Sequence, residues 1–131
     1  MKLLLDTHIA LWAISDDRRL SKRARDLISN PSADLFVSVV SLWEIAIKHA
    51  LGRSGPTAMT ISAAEAREAF LESGYELLDM TSEHVLAVEG LAPIHSDPFD
   101  RLLVAQALSE PMRLLTHDAA LAGYSELVEV A

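Results

Sequence analysis

The stretch HSDPFDRLLVAQA at 95–107 sets two carboxylates, Asp97 and Asp100, against a run of residues suited to burial. Acids recur at comparable places. Asp6 directly follows the apolar KLLL, Glu44 lies early in SLWEIAIKHALG, and Asp118 comes two residues after MRLLT. Each has a local explanation. Asp97 before Pro98 reads as the N-cap of a helix, with Asp100 in the first turn where the macrodipole favours an anion. Asp6 can cap a helix beginning at Thr7, and Asp118 one over AALAGY. Glu44 can complete a Ser41-x-x-Glu44 capping box or pair with Lys48 one turn on. Together, however, the four carry a chemical alternative. If Asp6, Glu44, Asp100 and Asp118 converge at about 5 Å, each pair repels by roughly 3 kcal/mol at an effective dielectric near 20. A fold would hold such a cluster only with a cation or with raised pKa values. Oxygen ligands, in a chain without Cys and without a His spacing such as HExxH, suit Mg²⁺ or Mn²⁺ better than Zn²⁺. Such an ion activates water and stabilises in-line phosphoryl displacement, which implies a polyanionic substrate.

The elements around these acids alternate. KLLL at 2–5, DLFVSVV at 34–40, YELLDM at 75–80, MRLLT at 112–116 and LVEV at 127–130 read as strands. Helices are expected at THIALWAI, at SKRARDLISN from Ser21, from Ser41 to Gly52, from Ser62 to Gly74 with a capping box, over TSEHVLAVEGL, over 98–110 and, briefly, at HDAALAGY. RSGPTAM at 53–59 reads as a loop. Alternating strands and helices imply an α/β fold with a parallel sheet covered on both faces, which fits strands that are continuously apolar. Ligands of such sheets bind beyond the carboxyl ends of the strands. Asp6 and Asp118 lie just past strands, and Glu44 and Asp100 lie in the first turns of helices. No internal repeat or linker divides the 131 residues, so one domain over 1–131 is expected.

Half the residues are hydrophobic, which excludes a disordered chain, and the absence of Cys fits a reducing cytoplasm. The opening MKLLLDTHIALWAIS faintly resembles a signal peptide, but Asp6 and His8 interrupt it and no small-residue cleavage pattern follows. No stretch is long and apolar enough to span a bilayer. A net charge of -8 argues against holding nucleic acid by general attraction, yet it is compatible with an enzyme whose acids bind metal. The basic run Arg18, Arg19, Lys22, Arg23 and Arg25 reads first as a solvated face balanced by Asp16, Asp17 and Asp26, and second as a contact for RNA or a protein. His8, His95 and His117 lie beside the acids in sequence. Ordinary surface or hydrogen-bonding roles are expected of them ahead of RNA contact or proton donation. Trp12 and Trp43 occupy apolar helical settings that favour core or dimer packing over base stacking.

LLLDTHIALW, SVVSLWEIAIKHALG, HSDPFDRLLVAQA and LLTHD resemble, in order and spacing from residue 2 to about 124, the signature stretches of PIN-domain ribonucleases, most closely VapC-type toxins of toxin–antitoxin pairs. The segment at 53–74 departs most from that pattern. The resemblance implies a PIN-like three-layer sandwich with a central parallel sheet of about five strands. It implies an endoribonuclease in which Asp6, Glu44, Asp100 and Asp118 bind one or two Mg²⁺ or Mn²⁺ ions and metal-activated water hydrolyses RNA. Thr116 matches the family's hydroxyl position, and Thr116, Asp97 and Thr7 are expected as supporting or substrate-contacting residues. A cognate antitoxin and a homodimer are implied as partners. Two readings compete. One is another Mg²⁺-dependent phosphoesterase, although a dehalogenase-like phosphatase would want Asp-x-Asp where Asp6 is followed by Thr7 and His8, and a receiver domain would want an acidic pair and a late Lys. The other is a catalytically silent acidic α/β binding module.

Overall fold

The computed structural model describes residues 1–52 and 59–131; the loop expected at RSGPTAM lies, but for Met59, outside them. Five strands, β1 (Lys2–Leu5), β2 (Asp34–Ser38), β3 (Glu76–Leu78), β4 (Arg113–Thr116) and β5 (Val128–Val130), form one sheet in the order β3-β2-β1-β4-β5. Every pairing is parallel. The helices are α1 (Thr7–Ser15), α2 (Lys22–Ile28), α3 (Val39–Ala50), α4 (Ala63–Glu72), α5 (Ser82–Glu89) and α6 (Pro98–Ser109), followed by a 3-10 helix over Ala119–Tyr124.

Both faces of the sheet are covered, for a reason visible in β1. Leu3 and Leu5 point into a cluster with Ile9, Trp12, Ile45 and Phe70, while Leu4 points the other way into Val40, Leu103, Val104 and Leu114. Successive strand residues face opposite sides, so a buried strand between two helix layers must be apolar at every position. Leu3, Leu4 and Leu5 are fully buried, each worth about 1.5–3 kcal/mol of transfer free energy. No helix among the described residues is long and apolar enough to cross a membrane.

The strand at 34–40 is shorter than expected, and α3 starts earlier. The Ser38 hydroxyl accepts the Val40 N–H at 3.0 Å and caps a helix that opens with Val39 and Val40. Two β-branched residues extend the strand pattern by propensity, but the local cap and the burial of Val40 decide in favour of helix. Ser41 therefore lies inside α3, and the expected Ser41–Glu44 capping box does not form. The box expected at Ser62 and Glu65 does form. The basic run behaves as a balanced surface: Arg19 pairs with Asp17, Lys22 with Asp26 and Arg25 with Asp16, while Arg23 reaches Glu129.

Candidate active site

In the order β3-β2-β1-β4-β5 the chain moves one way from β1 through β2 to β3, and then returns to β4 on the other side of β1. The switch point thus lies between β1 and β4, where open α/β sheets place ligands. Asp6 leaves β1 and Thr116 ends β4 at this crevice. The Asp6 N–H donates to the Leu115 carbonyl at 3.0 Å, and the Thr116 hydroxyl donates to Asp6 Oδ2 at 2.5 Å. Thr116 Oγ1 also accepts the Asp118 N–H at 3.1 Å. One hydroxyl ties two acids from neighbouring strand ends.

The local and the chemical explanations of the acids turn out to be compatible, because a carboxylate has two oxygens. Asp6 caps α1 with Oδ1, accepting the Ile9 N–H at 2.8 Å, while Oδ2 faces Thr116 and lies 3.9 Å from His117 Nδ1. Asp118 caps the 3-10 helix with Oδ1, accepting the Ala120 N–H at 3.0 Å, while Oδ2 faces His95. Asp97 is the cap of α6, accepting the Asp100 N–H at 3.0 Å, which leaves the Asp100 side chain in the first turn free of capping duty.

Glu44 is buried on α3 and caps nothing. Its Oε1 accepts the Thr7 hydroxyl at 2.7 Å, and its Oε2 pairs with Lys48 Nζ at 2.5 Å, the partner expected one turn on. Thr7 Oγ1 also lies 2.9 Å from Ser41 Oγ, so the residue after Asp6 links α1 to α3. Behind these groups the Ser38 hydroxyl donates to Gln106 Oε1 at 2.5 Å and joins the start of α3 to α6, the helix that carries Asp100.

The electrostatics reflect this crowding. Burial raises the Asp6 carboxyl above its ordinary value, opposed by the Thr116 and Ile9 hydrogen bonds and by His117 and His8. The Asp100 carboxyl is pushed up to about 6, first by burial and then by the negative charges of Asp97, Asp6 and Glu44, with the His95 hydrogen bond opposing. Burial lowers the His8 imidazole, against the pull of Asp6 and Glu44.

His95 takes the hydrogen-bonding role expected of it, and its partners are the acids themselves. Its Nε2 lies 3.0 Å from Asp100 Oδ2 and 3.5 Å from Asp118 Oδ2. His8 and His117 pack with Trp12 in an aromatic group beside Asp6, with ring centroids 4.8 Å apart for Trp12 and His117. Trp12 belongs to the core, whereas Trp43 is 48 % exposed and meets Phe99 edge-on at 5.0 Å. The donor set suits a divalent cation. It is rich in carboxylate oxygens, and neighbouring negative charges add to burial in raising the Asp100 carboxyl. Three side chains, His95, Asp100 and Asp118, each offer a ligand atom within 4.8 Å of the others.

The class these features define is a parallel α/β protein with an acidic, cation-accepting crevice at the switch point of its sheet. A family profile described as PIN domain matches residues 3–127, and the chain belongs to that family. Its fold is that of three toxin–antitoxin structures. VapBC2 from Rickettsia felis, bound to a DNA fragment from its promoter, aligns with a TM-score of 0.70 at 15% identity over 100% of this chain and 99% of that one. VapBC-1 from nontypeable Haemophilus influenzae gives 0.65 at 19% identity over 99% and 98%. DNA-bound VapBC from Salmonella typhimurium gives 0.63 at 17% over 100% and 97%. A comparison with curated protein sequences finds no significant match.

Proposed function

We propose that residues 1–131 act as a single divalent-metal-dependent endoribonuclease domain, the toxin of a cytoplasmic toxin–antitoxin pair. The observation that carries this reading is that Asp6 and Asp118 each spend one oxygen on a helix cap and keep the other off it, Asp118 beside His95 and Asp100 and Asp6 on Thr116, while the charges of Asp6 and Glu44 reach Asp100. Asp6, Glu44, Asp100 and Asp118 would hold one or two Mg²⁺ or Mn²⁺ ions. A bound divalent ion supplies Lewis-acid chemistry there, making water a better nucleophile and offsetting charge on a phosphodiester.

The protein's own groups prepare that chemistry. Thr116 fixes the inward oxygen of Asp6, Thr7 and Lys48 fix the two oxygens of Glu44, and the Asp97 cap fixes the backbone beneath Asp100. An acidic crevice disfavours a phosphate backbone without a counter-cation, so RNA binding and metal binding are coupled. Membership of the PIN family and the toxin–antitoxin neighbours support an antitoxin as partner. A homodimer is supported by the exposed apolar residues of α3.

The test is incubation of a panel of structured and unstructured RNAs with Mn²⁺ or with EDTA. Cleavage is expected only with metal, and Asp6→Asn should abolish it while folding normally, because Asn keeps an oxygen for the Ile9 N–H. Cleavage that persists in EDTA, or full activity of Asp6→Asn, overturns the reading.

A further inference from the structure

We infer that His95 is itself a ligand of this cation site, its Nε2 joining Asp100 and Asp118 in a mixed nitrogen–oxygen half-site that selects Mn²⁺ and similar transition ions over Mg²⁺. The inference rests on the acids being a divalent-cation site and extends it in ligand set and metal preference.

The first argument is spacing. An octahedral ion with bonds of about 2.1 Å places neighbouring ligand atoms about 3 Å apart. His95 Nε2 stands at 3.0 Å from Asp100 Oδ2 and 3.5 Å from Asp118 Oδ2, close to the edges of such an octahedron. An imidazole bridging two carboxylates could also be an ordinary ion pair, so spacing alone does not decide.

The second argument is how the ring is held. The His95 backbone N–H donates to the Tyr124 hydroxyl at 2.9 Å. Arg101 Nη1 donates to the same hydroxyl at 3.0 Å and to the carbonyls of Ala92 at 3.1 Å and His95 at 3.3 Å. The loop that presents His95 is therefore anchored from behind, by α6 and the 3-10 helix, through contacts that do not involve the imidazole or the acids. A surface ion pair has no use for that support, whereas a ligand must be held in place before its ion arrives. The same two elements carry Asp100 and the residues capped by Asp118, so all three donors share one frame.

The consequence is chemical. Carboxylates and water serve Mg²⁺ and Mn²⁺ alike, but imidazole favours transition ions. One nitrogen among oxygens shifts preference without creating a zinc site of the all-histidine or thiolate kind.

The experiment uses the full chain loaded with Mn²⁺ and reads nitrogen hyperfine modulation by pulsed electron paramagnetic resonance, with Mn²⁺ and Mg²⁺ affinities from calorimetry. Wild type should show modulation from a directly coordinated imidazole. His95→Gln should lose it, with Mn²⁺ affinity falling about tenfold and Mg²⁺ affinity falling less; His117→Gln should keep it. Tyr124→Phe, which removes the anchor but no ligand, should weaken Mn²⁺ binding while retaining the nitrogen signal. Bound Mn²⁺ without nitrogen modulation in wild type, or modulation that survives His95→Gln, overturns the inference and leaves the carboxylate site standing. Failure of wild type to bind Mn²⁺ at all overturns both.

Discussion

Replacing Asp100 with Asn should stabilise the metal-free protein at neutral pH. The Asp100 carboxyl is displaced from its ordinary value of 3.8 to about 6 by burial and by the charges of Asp97, Asp6 and Glu44. The folded state therefore holds the Asp100 proton more tightly than the unfolded chain. Between about pH 4 and pH 6 the unfolded chain binds fewer protons, so stability falls as pH rises through that window and stays low above it. Full displacement corresponds to about 3 kcal/mol. The side chain is 25% exposed, and solvent screens part of the repulsion, so about 1–2 kcal/mol is expected. For a chain of this size that is a rise in melting temperature of about 4–8 °C. Asn preserves an acceptor for His95, and the α6 cap belongs to Asp97, so no compensating loss is expected. The assay is thermal unfolding of wild type and Asp100→Asn in EDTA, at about pH 4 and about pH 7.5. The variant should match wild type at the lower pH and exceed it at the higher. With saturating Mn²⁺ the order should reverse, because binding to the folded state stabilises wild type by RT ln(1 + [L]/Kd) and the variant has lost a ligand. A variant no more stable than wild type at about pH 7.5 in EDTA would refute the claim that burial and the neighbouring acids disfavour the Asp100 carboxylate.

Glu44→Gln should leave metal-free stability within about 1 kcal/mol, since the Lys48 it unpairs is partly exposed and can turn to water, and Gln keeps an acceptor for Thr7. RNA cleavage should fall about a hundredfold or more, because the charge offered to the cation is gone; wild-type cleavage would remove Glu44 from the site. On α3 and its C-cap, Trp43, Ile47 and Leu51, which are 48%, 39% and 57% exposed, follow one another at helical spacing as a single apolar stripe. Light scattering at tens of micromolar should give a dimer mass, and Trp43→Glu should shift it to the monomer; a wild-type monomer would contradict this assignment.

The parts of this protein that were legible from sequence are those decided locally. A cap needs only a short polar side chain and a backbone turn within a few residues, so Asp6, Asp97, Ser62 and the 98–109 helix could be placed by reading along the chain. Strands buried on both faces announce themselves by unbroken apolar character, as in KLLL and RLLT. Where two local tendencies compete, the reading slips: Val39 and Val40 read as strand, the Ser38 cap makes them helix, and with that shift the Ser41 box disappears. For Trp43 the reading leaves core and dimer packing both open, since an apolar helix does not say which of its faces the sheet will cover, and Trp43 is 48% exposed.

The partners of His95 are hidden for a different cause. A single histidine two residues before a helix cap is expected to hydrogen-bond, but its place in the sequence does not say to what. Its ring is brought to the acids by the Arg101 guanidinium and the Tyr124 hydroxyl, and Tyr124 is 29 residues away in sequence. Neither partner has a residue type or spacing that signals such a task. Thr116 is reached through the family resemblance, but its partner is not: its hydroxyl bonds Asp6 across 110 residues only because β4 lies beside β1. Carboxylates can be suspected from sequence because each follows a strand or opens a helix. Which acid each supporting group aims becomes visible only once the sheet order is known, because switching from β3 back across to β4 is what makes neighbours of the first and last thirds of the chain.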